Sequence, residues 1–222
     1  MNIAANTIRL LGIAQLFVFG ASLLSEQLQK SVLGTGSISE MLVNTAKKSN
    51  LIWISSLIAL FNCLGIIILG VLFFVVLNGQ NRIIALVALG CFVVEAITLA
   101  VSKIGTYGLI PLSQDFVSAG APDSTYHLSL GEFMYNSVDR KGYDIHMLFF
   151  CIGAFLWYYL LYLSSIVPPF LSIWGMIAIS LLTIPVLIAL LGREFLPATI
   201  LALPYAPYEL VLGIWLIVIS FK

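Results

Sequence analysis

Two glutamates stand inside stretches of sequence that are otherwise apolar, and they are the residues best suited to chemistry. Glu95 and Glu209 each interrupt an apolar run, and Arg9 interrupts a third run near the N-terminus. A charge at the centre of a bilayer costs at least about 2.5–3.5 kcal/mol, so we expect all three to face the interior of a helix bundle and to have partners. Two carboxyl groups at similar depth suit an acid–base pair, a proton relay or the ligands of a cation.

Neutral polar residues and tyrosines extend this candidate intramembrane site. They are Gln15, Asn62, Tyr205 and Tyr208. A structural interpretation competes with the chemical ones: one carboxyl group is bonded to Arg9, and the other is hydrogen-bonded to Tyr205 or Asn62. The sequence favours this structural interpretation over a ligand or proton site, and both over catalysis.

His146, preceded by Asp144, opens another apolar run and forms a candidate site at the outer face of the membrane. Three residues follow it on one helical face: Phe150, Gly153 and Trp157. The competing interpretation is an interfacial histidine that caps a helix or forms a hydrogen bond there. A metal site would need Glu132, Asp144 or His127 as partners, and their spacing matches no ligand motif. We therefore assign no metal and no cofactor.

Composition places the chain in a lipid bilayer. Hydrophobic residues make up 61% of the 222 residues and charged residues only 9%, whereas a soluble domain has about 25% charged residues. The net charge is zero and no basic run is present, which argues against binding to nucleic acid. The three cysteines lie in apolar runs without metal spacing, so we interpret them as small hydrophobic residues.

The apolar runs predict an all-α membrane protein with a six-helix bundle in a single domain, residues 1–222. A span needs about 20 apolar residues, and the backbone can satisfy its own hydrogen bonds in lipid as a helix. The first run lacks a basic segment before it and is interpreted as a retained span, not a signal peptide. The predicted spans are Ile3–Leu24, Leu51–Leu77, Ile83–Val101, His146–Ile166, Leu171–Leu191 and Ala198–Ser220.

The connections between the spans are of two kinds. Tight turns are predicted at residues 78–82, 167–170 and 192–197, and two long loops at residues 25–50 and 102–145. In the first long loop, Ile38, Met41, Leu42 and Thr45 have helical spacing and predict a short surface helix. In the second, Ser129 and Glu132 match a capping box that would begin a helix through Phe133, Met134 and Val138.

The last span carries Pro204 and Pro207 just before Glu209, which predicts a kink or a short unwound segment. Pro185 in the preceding span would be the matching break of a repeat, but the sequence shows no convincing internal repeat. Five aromatic residues near the end of span 4 and the start of span 5 are typical of a belt at the membrane interface. They are Trp157, Tyr158, Tyr159, Tyr162 and Trp174.

Charge alone points the long loops toward the cytoplasm. Most of the lysines and arginines, Lys103 among them, lie on the long-loop side of the spans, and the positive-inside rule places that side in the cytoplasm. The same side carries nearly all the acidic residues, and the rule is weakest for long loops.

The chain resembles a membrane family catalogued as domain of unknown function 4386. The most specific segment is the last, with Leu203-Pro204, then Glu209, then Trp215-Leu. Other similar segments are Arg9-Leu-Leu-Gly-Ile, Asn81-Arg82 followed by Glu95, Tyr159-Leu-Leu-Tyr-Leu-Ser-Ser-Ile-Val-Pro168 and Leu171-Ser-Ile-Trp-Gly175. Two positions depart from the pattern: Ser164 stands where a basic residue is expected, and Ser220 where a glycine is expected.

The resemblance implies six spans in a bacterial inner membrane, with both termini in the cytoplasm and the long loops outside. We adopt this orientation over the literal charge count. The family name states that its function is unknown, so the resemblance implies no activity.

Three functions fit the residues. The first is a non-catalytic accessory, assembly or sensor subunit, with another membrane protein or a second copy of the chain as partner. The second is a small-molecule or proton-coupled carrier that uses Glu95, Glu209 and Arg9. The third is a membrane-embedded enzyme acting on a lipid or an isoprenoid, with the glutamates as acid and base and His146 near the entrance.

Overall fold

The computed structural model describes residues 3–121, 125–193 and 198–220, and all regular elements within these ranges are helices. Within these ranges, six helical stretches are long and apolar enough to cross a membrane, which confirms the predicted all-α multi-pass membrane protein. In chain order the elements are α1 (Ile3–Leu33), α2 (Ile38–Lys47), α3 (Ser49–Leu77), α4 (Arg82–Ser118), α5 (Thr125–Glu132), a π-helix (Phe133–Arg140), α6 (Lys141–Ser164), α7 (Pro169–Leu190), α8 (Ala198–Ala202) and α9 (Tyr205–Ile219).

The two predicted long loops are mostly helical. α1 continues past the predicted span end to Leu33, and α4 continues to Ser118. With 37 residues, α4 is about 56 Å long, whereas a hydrocarbon core is about 30 Å thick. Hydropathy identifies the part of a helix that suits lipid, not the residue at which the helix ends. The extensions are stabilised because they bury Val32, Leu33 and Leu109 in a common hydrophobic cluster.

The short helix predicted in the first loop is confirmed as α2. Ser37 accepts a hydrogen bond from the backbone of Glu40 and the Glu40 side chain accepts one from the backbone of Ser37, which is a complete capping box. Met41, Leu42 and Thr45 are buried, whereas Glu40 and Lys47 are exposed, so one face of the helix packs against its neighbours and the other lies at the surface.

The capping box predicted at Ser129 is wrong. α5 already begins at Thr125, and the chain stays helical into the π-helix at Phe133. A cap acts only where the preceding residues are not helical, so Ser129 has no free helix end to satisfy.

The contacts divide the chain into two compact units. Unit 1 consists of Met1–Phe19, Leu64–Ala96 and Asp144–Lys222, and unit 2 of Gly20–Cys63 and Ile97–Tyr143. Four helices, α1, α3, α4 and α6, contribute residues to both units. The single domain over residues 1–222 stays a prediction.

Two helices of unit 1, α1 and α9, approach each other closely at glycines. A Cβ atom at Gly12 would lie 2.7 Å from the carbonyl oxygen of Gly213 and 2.9 Å from the backbone nitrogen of Ile217. Small residues permit such backbone contact in membranes, where packing replaces the hydrophobic effect between helices. Gly12 therefore fixes the distance between the two helices.

The last span is broken where the prolines predict. α8 ends at Ala202 and α9 begins at Tyr205, with Pro204 as its N-cap. Pro204 is the N-cap and Pro207 lies in the first turn of α9, and the backbone N–H groups of these positions have no partner within a helix. The indole of Trp174 donates a hydrogen bond of 3.2 Å to the carbonyl of Pro204 at the break.

The preceding span shows no matching break, because α7 is continuous through Pro185. The tight turn at residues 78–82 is confirmed, since α3 ends at Leu77 and α4 begins at Arg82. In the turn predicted at residues 192–197, positions 194–197 lie outside the described residues.

We expect Gly12→Ala to lower the free energy of unfolding by about 1–3 kcal/mol, because the new methyl group would meet backbone atoms that cannot rotate away. Gly90→Ala on α4 is the matched control, since a Cβ atom there meets nothing within 4 Å. This control should leave stability unchanged or raise it by up to about 1 kcal/mol. The measurement is the Tm of both variants in one detergent, and an equal Tm would contradict the close contact.

Candidate functional site

Glu209 is the centre of a buried hydrogen-bond network in unit 1. Its Oε1 atom accepts a hydrogen bond from Gln15 Nε2 at 2.9 Å and another from the Tyr205 hydroxyl at 2.9 Å. Tyr205 lies one turn before Glu209 on α9, and helical side chains tilt toward the N-terminus, so the two side chains meet. Gln15 reaches the same oxygen from α1.

The network continues from Tyr205 to Tyr158 on α6, with the two hydroxyl oxygens 2.7 Å apart. Tyr205 uses its only hydroxyl hydrogen in the bond to Glu209, so Tyr158 must donate to Tyr205. The hydrogen bonds therefore run in one direction, from Tyr158 through Tyr205 to Glu209.

Aromatic rings surround this network. Tyr208 packs edge-on against Tyr158, with ring centroids 4.8 Å apart, and also against Trp174 at 5.7 Å. Gly175 on α7 leaves room for the Tyr208 ring, since a Cβ atom there would collide with it. Tyr208 is fully buried, and its hydroxyl makes no hydrogen bond to any described residue.

Glu95 lies beside His146. His146 Nδ1 is 3.2 Å from the Glu95 carbonyl oxygen and 4.0 Å from its carboxyl Oε1. A carbonyl oxygen only accepts hydrogen bonds, so Nδ1 carries a hydrogen in this arrangement. Both residues are buried, which brings into contact two residues that the sequence placed in separate candidate sites.

Glu95 and Glu209 line the same small cavity in unit 1. The cavity has a volume of about 10 Å³, which is room for one water molecule. Its polar wall consists of Gln15, Glu95, Trp157, Tyr158, Tyr205 and Glu209. The apolar wall consists of Val18, Ile66, Leu69, Phe73, Phe92 and Phe150.

Three of the predicted site residues do not line this cavity. Arg9 is exposed on α1, and Asp144, which the sequence placed with His146 in the outer-face site, is half-buried in the first turn of α6. Asn62 belongs to unit 2, where its Nδ2 donates to the Ser22 hydroxyl at 2.8 Å. Of the two partners predicted for a buried glutamate, Tyr205 is confirmed for Glu209. In the described part of the chain, no three His, Cys, Asp or Glu side chains are grouped to hold a metal.

Sequence reasoning missed Trp157 and Tyr158, which it placed in an interfacial aromatic belt. Both are buried, and Phe73 stacks on Trp157 with ring centroids 5.2 Å apart. Tyr159 and Tyr162 are exposed, as belt residues would be. Helical spacing is the signal that separates the buried from the exposed aromatic residues. Trp157 lies on the same helical face as the buried His146, and Tyr158 is the next residue.

A family model described as "Domain of unknown function (DUF4386)" matches residues 10–220, nearly the whole chain. No curated protein and no solved structure matches the chain.

We expect Tyr205→Phe to lower the free energy of unfolding by about 1–3 kcal/mol, because it removes a donor from Glu209 and an acceptor from Tyr158. Tyr158→Phe loses one bond and should cost about 0.5–1.5 kcal/mol. The double variant should be no less stable than Tyr205→Phe alone, since the hydroxyl left unpaired is then absent. Thermal unfolding measures all three.

Tyr126→Phe is the matched control for these variants, because Tyr126 is 68% exposed. We expect it to leave the Tm unchanged. Additive losses in the double variant, or a loss in the control as large as in Tyr205→Phe, would contradict the hydrogen-bonded chain.

Proposed function

We propose that this chain, which belongs to the DUF4386 family, is a non-catalytic subunit or sensor that binds a proton in its membrane-spanning part. One observation carries the proposal: two carboxyl groups, Glu95 and Glu209, line a buried cavity with room for one water molecule. Two negative charges on the wall of one small cavity repel each other strongly away from water. One bound proton removes this repulsion.

The hydrogen bonds favour Glu209 Oε2 as the atom that takes the proton. Gln15 and Tyr205 both donate to Oε1, so a proton on Oε2 leaves both bonds intact. Other titratable groups lie around both carboxyl groups. Near Glu95 they include His146, Cys91 and Cys151. Near Glu209 they include Tyr205, Tyr208 and, at the end of the hydrogen-bond chain, Tyr158.

A water molecule in the cavity would connect the two carboxyl groups. Trp157 lines the cavity, and its indole N–H is a buried donor with no hydrogen-bond acceptor among the described residues. A water oxygen accepts from such a donor while its two hydrogens bond to carboxyl oxygens. A metal cation would instead face this N–H unfavourably, which favours a proton and a water over a cation.

The small size of the cavity argues against two functions considered from the sequence: a carrier of small organic molecules and an enzyme acting on a lipid or an isoprenoid. A small organic molecule or an isoprenoid needs a pocket of about 300 Å³ or more. A proton needs only the carboxyl groups and one water.

A proton-coupled carrier is the second candidate, because the last span is broken directly before Glu209, as in transporters that build sites at broken helices.

Infrared difference spectroscopy on the protein in nanodiscs tests the proposal, since a protonated carboxyl group has its own C=O stretching band. We expect a pH step to produce such a band in the wild-type protein, and Glu209→Gln and Glu95→Gln each to remove or shift it. Gln keeps the size of the side chain but cannot lose or gain a proton.

Glu26→Gln is the matched control, because Glu26 pairs with Lys30 at the surface of α1; its spectrum should equal that of the wild type. A band unchanged in both cavity variants would refute the site. Proteoliposomes with an internal pH dye then separate the two candidates. Proton flux that both glutamine variants abolish indicates a carrier, and the infrared band without flux indicates a sensor or subunit.

We further propose a bacterial inner membrane, with both termini in the cytoplasm and another membrane protein or a second copy of the chain as partner. The resemblance along the chain and Arg82, which follows the turn between α3 and α4, support this orientation. Positive residues in short loops favour the cytoplasm.

Two cysteine variants at opposite ends of α3 test the orientation by labelling with a membrane-impermeant maleimide. Lys47→Cys lies just before α3, and Gly79→Cys lies just after it, where a Cβ atom meets nothing within 4 Å. The native cysteines are replaced first. In intact cells with a permeable outer membrane, we expect labelling of Lys47→Cys only, and labelling of Gly79→Cys alone would reverse the orientation.

A further inference from the structure

A second buried charged cluster lies in unit 2, and its two ionised residues come from the predicted long loop. Lys103 Nζ on α4 is 2.9 Å from Asp139 Oδ1, and both side chains are only 6% exposed. The sequence placed Lys103 among the loop charges, but the continuation of α4 carries it into the interior of unit 2.

Two neutral side chains complete the bonding of this carboxylate. Thr106 donates its hydroxyl to Asp139 Oδ1 at 2.6 Å, and Gln29 Nε2 donates to Oδ2 at 2.7 Å. The Gln29 carbonyl oxygen accepts from Lys103 Nζ at 3.1 Å. The three donors therefore come from α1 and α4 and converge on one carboxylate that belongs to a third element.

That third element is a π-helix of eight residues, Phe133–Arg140. π-Helices are rare because their geometry is less stable than that of an α-helix. Most are single-turn bulges inside α-helices, and these bulges are frequent at functional sites. A π-helix of this length needs contacts that favour it over the α-helix on either side. Asp139 lies in its last turn and supplies one set of these contacts.

Glycines on α4 allow the second set of contacts that favour the π-helix. A Cβ atom at Gly105 would collide with the carbonyl oxygen of Met134 and would lie 2.8 Å from the backbone nitrogen of Asp139. At Gly108 it would lie 3.0 Å from the sulfur of Met134. The backbone of the π-helix thus rests directly on α4, beside the residues that bind Asp139.

We propose that Gln29, Lys103 and Thr106 form a binding site for one carboxylate group. Asp139 occupies the site as a tethered ligand and thereby holds residues 133–140 in the π-helical form. The donor set is the kind that binds any carboxylate: one ammonium group, one hydroxyl and one amide. Because π- and α-helices place successive side chains at different angles, a change to α-helix would withdraw Asp139 from its three donors.

Chemical rescue in the full-length protein tests the site. Asp139→Ala removes the carboxylate and leaves space beside the three donors. We expect sodium formate to raise the Tm of this variant progressively toward that of the wild type, because a ligand that binds only the folded state stabilises it by mass action. Sodium chloride at equal ionic strength should give a smaller shift. Equal shifts with the two salts would overturn the proposal.

Two control variants define the rescue. Asp115→Ala removes an exposed carboxylate of the same unit and should show no difference between formate and chloride. Lys103→Met combined with Asp139→Ala removes the main donor and should lose the formate effect. A formate effect that persists in this double variant would refute Lys103 as part of the site.

Hydrogen exchange of Asp139→Asn adds a measurement that does not require Asp139→Ala to fold. Asparagine keeps the size of the side chain but cannot accept all three hydrogen bonds. We expect amides in residues 133–141 to exchange roughly a hundredfold faster than in the wild type, while those of α7 stay unchanged. Unchanged exchange in residues 133–141 would refute Asp139 as the residue that holds the π-helix.

Discussion

The hydrogen bonds onto one oxygen of Glu209 are the interaction on which unit 1 depends. In lipid, polar groups must find partners inside the protein, since neither water nor the acyl chains supply them. Glu209 Oε1 finds two, one from Gln15 on α1 and one from Tyr205 on its own helix, and Tyr158 on α6 continues the chain. Three helices, α1, α6 and α9, are thereby joined in one hydrogen-bond network.

Close packing at glycines makes this polar contact possible. α1 and α9 can bring Gln15 and Glu209 within hydrogen-bond distance because Gly12 lets the two backbones touch near Gly213. The Tyr208 ring fits beside Tyr158 because Gly175 leaves it space. Glycine positions and polar positions therefore serve the same packing of α1, α6, α7 and α9, which is how membrane helices associate without a hydrophobic driving force.

Asp139 and Glu209, two of the buried carboxyl groups, differ in how many of their oxygens accept hydrogen bonds. Asp139 in unit 2 accepts from Lys103, Thr106 and Gln29, so both its oxygens are occupied and its charge is neutralised by an ammonium group. Glu209 in unit 1 has its two donors on a single oxygen and lines a cavity with room for water. This contrast is why we assign a tethered, structural ligand to the first and an exchangeable proton to the second.

The sequence predicted the features that depend on local chemistry. Apolar runs located the membrane helices, the helical spacing of Ile38, Met41, Leu42 and Thr45 located α2, and the two prolines located the break before α9. It failed where a residue's environment is set by distant parts of the chain. Hydropathy placed Lys103 in a loop because it cannot show that Asp139, far along the chain, neutralises the charge.

The same limit explains the aromatic residues of α6. Four of them, Trp157, Tyr158, Tyr159 and Tyr162, have the composition of an interfacial belt, but composition does not show direction. Only two of the four face outward, while Trp157 and Tyr158 are turned toward Phe73 and Tyr205.

The break in the last span gives Glu209 its position. Because α9 begins at Tyr205, the glutamate lies just beyond the first turn, where its side chain reaches back to the first residue of the helix. Trp174 of α7 donates a hydrogen bond to the carbonyl of Pro204 and so ties α7 to the break. α7 itself continues through Pro185 without interruption. A matching break in a second, repeat-related helix is therefore not required to build the site. One broken helix held against a continuous helix places the Glu209 carboxyl group beside the cavity.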